Sequence, residues 1–145
     1  MSERQISLPE IVISRTPFIK FDGREDPAVF WKRKIYLNPE SDYWTNARSI
    51  VSTYYESNWW ASNDYRHPIW HEAGHALHYA RTEEIWNALG PLQKSEIELA
   101  KIVSNYAAFD QREFVGEVFA GTLAGEEYDK MIWALYKKLG GYPLD

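Results

Sequence analysis

The order of local patterns along the chain is its tightest constraint: β-favouring runs end before residue 40, and helical periodicity fills nearly everything after it. Ile11-Val12-Ile13, Phe18-Ile19-Lys20-Phe21 and the stretch from Val29 to Leu37 are rich in β-branched and aromatic residues. They are broken by Pro17, Asp22-Gly23 and Asn38-Pro39, residues that end strands. From Thr45 to Glu56, apolar residues recur at positions 47, 50, 51, 54 and 55, a helical spacing. The aromatic and polar stretch Asn58 to Asp64 reads as a loop or a short strand. Further helices are predicted from His67-Pro68 to about Arg81, from Leu92 to Val103, from Asp110 past Leu123, and from Glu126 to Leu139 ahead of Gly140-Gly141. Strands first and helices afterwards predict an α+β fold, with a small N-terminal sheet segregated from the helices. No repeat or Ser/Gly linker divides the chain, so one domain over residues 1–145 is expected, residues 1–30 reading as an irregular N-terminal extension.

Composition narrows the chemistry. The absence of cysteine removes thiol nucleophiles, disulfides and cysteine zinc sites together, leaving four histidines and the carboxylates as the good metal ligands. A net charge of -5 and a pI near 5.4 argue against nucleic acid or an anionic membrane as partner, since both demand a basic surface. No apolar run approaches the roughly 20 residues of a membrane span, and the polar start Met1-Ser2-Glu3-Arg4 lacks the apolar segment of a signal peptide. A non-secreted, cytoplasmic protein is expected.

Chemistry concentrates in His71-Glu72-Ala73-Gly74-His75. Residues four apart on a helix project side by side, so His71 and His75 can hold one metal ion. Glu72 lies on the flank, within reach of a proton on a metal-bound water. A shuffled chain of this composition shows the spacing about once in a hundred. Two hydrogen-bonded histidines at a helix interface are the plain alternative. Catalytic zinc needs a third protein ligand, and Glu113 and Glu117 share one helix face downstream. Asp110 and Glu113 also have capping-box spacing, and Glu117 suits an exposed helix surface, so both remain open on the residues alone. His67 reads as a helix-start residue, His78 as a surface or hydrogen-bonded residue or one orienting a ligand, and Trp59, Trp60, Trp70 and Trp86 as packing or as the lining of a pocket.

The run His71-Glu-Ala-Gly-His75, then Ser104-x-Tyr106-Ala107 and Glu113-Phe-x-x-Glu117-x-Phe119, resembles the gluzincin-type zincin metallopeptidases. The likeness is to the anthrax lethal factor catalytic domain and to domains of phage head-morphogenesis proteins. Asn38-Pro39, Tyr43-Trp44 and Trp60-Ala61-Ser62 extend it upstream, so it covers about residues 34 to 125. It implies His71, His75 and Glu113 as ligands of one zinc ion per chain, Glu72 as general base, Tyr106 as the donor that stabilises the transition state, and Glu117 as the carboxylate orienting a ligand histidine. It also implies that Ile35-Tyr36-Leu37 is the strand along which substrate lies antiparallel. Gly116 departs from the alanine usual in these families.

The expected activity is therefore zinc-dependent endopeptidase action on a peptide or protein. The second expectation belongs to another class: a virion-associated head-assembly component that meets phage structural proteins, with a zinc site that is structural and closed by a fourth ligand such as His78. The sequence leaves the oligomeric state open.

Overall fold

The computed structural model describes residues 9–20 and 25–144 and has the predicted α+β character, with three strands and seven helices among those residues. Strands β1 (Glu10–Ile13), β2 (Ala28–Trp31) and β3 (Lys34–Leu37) form one sheet in the order β1-β3-β2. β1 runs parallel to β3, and β2 antiparallel to it. The stretch Val29 to Leu37 is thus not one strand but a hairpin. Trp31 pairs with Lys34 across Lys32-Arg33, whose φ angles of 49° and 66° are the left-handed pair that a tight two-residue turn requires.

Two other expectations are corrected. Thr16–Lys20 is helix α1, not part of a strand; Pro17 is tolerated in its first turn, where backbone N–H groups have no partner within the helix, and Phe21 lies outside the described residues. The segment 1–30 is also more than an irregular extension, because β1, α1 and most of β2 fall within it; residues 1–8 lie outside the described part.

After a 3-10 turn at Asp42–Trp44 come α2 (Ala47–Glu56), α3 (His67–Arg81), the short α4 (Glu83–Ala88) that the sequence does not announce, and α5 (Lys94–Val103). A second 3-10 turn, Tyr106–Ala108, leads into α6 (Gln111–Leu123), and α7 (Lys130–Lys138) closes the fold. Helix α6 is the axis of the core: every residue from Phe114 to Gly121 is buried, the signature of a helix covered on all sides. Ala100 and Val103 of α5 and Ile132, Leu135 and Tyr136 of α7 belong to the same apolar cluster.

Helix α3 lies between the sheet and α6. Two glycines set how closely the helices approach. A Cβ on Gly74 of α3 would fall 3.0 Å from the Phe119 side chain of α6, and one on Gly116 of α6 would fall 2.9 Å from Cε1 of both His71 and His75. The imidazoles of α3 therefore rest on bare α6 backbone. No helix among the described residues is long and apolar enough to cross a membrane.

Candidate metal centre

Pro68 in the first turn of α3 and a clean helical run to Arg81 put His67, His71 and His75 on one face, facing α6. Glu113 sits in the first turn of α6. Its backbone N–H donates to Oδ1 of the N-cap Asp110 at 2.9 Å, so the cap exists. The Glu113 side chain does not turn back to complete a capping box. Its Oε1 lies 2.7 Å from Nε2 of His75 and 3.3 Å from Nε2 of His71. These three residues form a group whose ligand atoms are close enough to hold a metal ion.

Glu117, one helical turn on, is fully buried and is no surface carboxylate. Its Oε2 accepts from Nδ1 of His71 at 2.7 Å and from Nε2 of His67 at 2.6 Å. Its Oε1 accepts from the Ser104 hydroxyl at 2.8 Å and from the Ala61 N–H at 3.1 Å. Four donors on one carboxylate satisfy its lone pairs, which is what makes a buried negative charge tolerable. Burial pushes the Glu117 pKa up, but the His67 and His71 imidazoles outweigh it and hold the value at about 2. For His71, burial opposes the charged ring, yet Glu113 and Glu117 together raise its pKa well above the ordinary value. Glu113 is correspondingly held well below the usual carboxylate range against its own burial, by His71 and His75. Without metal, His71 therefore donates from both ring nitrogens, Nδ1 to Glu117 and Nε2 to Glu113. A cation taking the place of the Nε2 proton would find its lone pair already aimed.

Glu72 reaches towards the sheet, where its Oε2 accepts from the Phe30 N–H at 2.8 Å. Burial raises its pKa, more than the neighbouring imidazoles lower it. The Tyr106 ring centroid lies 5.3 Å from that of His71, and the ring is braced by Trp59 and Phe109. Burial, with the Glu113 carboxylate next, raises its hydroxyl pKa, so it remains a proton donor. Glu72, Tyr106, His71, His75 and Glu113 all line one cleft of 580 Å³, with Phe30 and Trp86 among its apolar walls.

Ile35, Tyr36 and Leu37 do not belong to it. They form the central strand β3, hydrogen-bonded to β1 on one side and β2 on the other, so no edge is left for a substrate. The strand along the cleft is β2. Pro27 C=O accepts from the Asn38 N–H on the inner side while the Phe30 N–H turns out to Glu72, so by antiparallel alternation Ala28 and Phe30 direct their backbone groups to the cleft. His78 is turned away as well, its Nε2 donating to the Leu139 carbonyl at 2.8 Å. In the sequence Ser62 enters only through the Trp60-Ala61-Ser62 likeness, without a role, and His67 only as a helix start, although the four-residue spacing His67-His71-His75 is a signal for it.

Comparison of the chain with protein-family models, with curated proteins and with solved structures yields no match in any of the three.

Proposed function

We propose that the chain is a zinc-dependent endopeptidase of zincin-like fold, the activity its motifs imply. The observation that carries this is the convergence of Nε2 of His71, Nε2 of His75 and Oε1 of Glu113 on the wall of an open cleft that Glu72 and Tyr106 also line. Two imidazoles and a carboxylate are a catalytic zinc donor set. Tetrahedral zinc with bonds of about 2.0–2.1 Å separates its ligand atoms by roughly 3.3 Å, the distance found between His71 and Glu113. The 2.7 Å between His75 and Glu113 would open by about half an ångström on binding.

Zinc held by His71, His75 and Glu113 would supply Lewis acidity, enough to lower the pKa of a coordinated water towards about 7. Glu72, anchored through Oε2 by Phe30, takes the proton from the attacking water and passes it to the leaving amine. Tyr106, protonated at every working pH, donates to the oxyanion as charge develops on the scissile carbonyl. A peptide adds antiparallel to β2, where the N–H and C=O of Ala28 and the C=O of Phe30 face the cleft.

The structural-component reading calls for a zinc site closed by a fourth protein ligand, and the engagement of His78 with Leu139 counts against it. The test joins metal and activity. Zinc-loaded protein after dialysis should retain about one equivalent and cleave denatured casein, and Glu72→Gln should keep the metal and lose cleavage. A folded wild-type protein that retains no zinc, or undiminished cleavage by Glu72→Gln, overturns the proposal.

A further inference from the structure

The metal group uses two of the three histidines on the inner face of α3, and the third is as deeply placed as either. His67 is 1% exposed and Glu117 and Ser62 0%, with the Trp60 ring lying flat over the His67 imidazole at 4.8 Å and 20°. The Ser62 hydroxyl lies 2.7 Å from Nδ1 of His67, and Nε2 of His67 donates to Oε2 of Glu117 at 2.6 Å, the oxygen that also receives Nδ1 of His71 at 2.7 Å. Serine, histidine and glutamate in this order have the makings of a nucleophilic triad, but Ser62 is sealed from substrate, and the line ends on a metal-ligand histidine, not in a cleft. The same atoms of His67, His71 and Glu117 form a second group able to hold a cation. An ion there would displace the protons from His67 Nε2 and His71 Nδ1, both of which already meet their acceptor at hydrogen-bond length.

We propose that His67 is a positioning residue for the metal centre: by donating to Oε2 of Glu117 it fixes where that oxygen lies, and so how the His71 ring presents Nε2 to the metal. The geometry leaves little slack. Glu117 is pinned through Oε1 by Ser104 and Ala61, and its remaining oxygen is shared by two imidazoles approaching from successive turns of α3. Without the His67 contact, Oε2 has only His71 as partner. The carboxylate then turns about its Oε1 anchors and takes the His71 ring with it. Partners of this kind, one bond removed from a ligand, change metal affinity by about 10–100-fold when lost.

This inference rests on the zinc-enzyme reading, and two amide variants test it. His67→Gln places an N–H near the original Nε2 and can reach Glu117. His67→Asn places its amide near Nδ1, keeping Ser62 within reach and dropping Glu117. Zinc release to a chelator and the visible absorption of the cobalt-substituted protein are measured for both, beside thermal unfolding of the metal-free forms. His67→Asn is expected to bind zinc about 10–100-fold more weakly with altered cobalt bands, and His67→Gln to stay near wild type. Equal zinc retention and unchanged cobalt spectra in both variants, with a change only in metal-free melting, make His67 a packing residue and overturn the inference while the enzyme reading stands. Two zinc equivalents in the wild type, one of them lost in both variants, overturn it in favour of a second metal site. A wild type that takes up no zinc overturns both readings.

Discussion

The backbone N–H of Phe30 donates to Oε2 of Glu72 at 2.8 Å, so the sheet edge that borders the cleft also fixes the carboxylate proposed as the base. The proposed base on α3 and the strand proposed to align the peptide are thereby tied by one hydrogen bond, and a shift of β2 moves both. Shortening the side chain should separate them. Glu72→Asp cannot keep the Phe30 bond and hold its free oxygen in place, and a displacement of about 1 Å costs ~10²-fold in rate. Zinc content should be unchanged, and wild-type turnover by this variant would show that the anchor has no catalytic bearing.

Glu113 and Glu117 should separate metal from fold. Glu113→Ala removes a proposed ligand at the cleft wall and should abolish zinc retention while the metal-free protein stays folded. Glu117→Ala leaves the donors of His67, His71, Ser104 and Ala61 facing an empty place in the core, a loss of about 3–5 kcal/mol for breaking a buried charged network. Denaturant melts of the metal-free variants decide it, and the reverse ranking would mean that Glu117 is the ligand.

Stability of the metal-free protein should depend on acid in a way traceable to Glu117. Its folded pKa, about 2, lies below the ordinary 4.5, so its contribution is present above pH 4.5 and is lost as the pH falls towards 2. The difference amounts to roughly 3 kcal/mol. Glu117→Gln should flatten the stability curve over this window, and identical slopes in variant and wild type would place the acid sensitivity elsewhere.

Gly116→Ala sets two effects against each other. Alanine raises helix propensity by about 1 kcal/mol in a helix interior. Here, however, the new Cβ meets Cε1 of both His71 and His75 at 2.9 Å, where the Glu117 bond ties the His71 ring and the Trp86 ring abuts His75. Zinc affinity should fall by at least about tenfold, in line with the loss of ligand-orienting contacts. Unchanged affinity would show that the rings have room.

What is legible in the sequence is local. Pro68 and the spacing of His71 and His75 announce α3, and Asp110 announces the start of α6, because caps and periodicity act within a few residues. The hairpin is not legible. Its turn is Lys32-Arg33, two residues without intrinsic preference for positive φ, held there by the pairing of the strands on either side. That hidden turn also decides which strand is an edge, which is why Ile35 to Leu37 reads as a substrate strand and proves to be the middle of the sheet. The role of His67 is invisible for a different reason, since its partner Glu117 is 50 positions away and only the crossing of α3 over α6 unites them.

The doubly shared carboxylate of Glu117 bears on descent as well as chemistry. A lineage that abandoned catalysis would be free to exchange Glu72 and Tyr106, which face the cleft. It would still be tied to Glu117 and His67, because losing either strands polar groups in the interior. Among homologues, then, the inner histidine and glutamate are expected to persist, and the outer glutamate and tyrosine to vary wherever the proposed reaction is not performed.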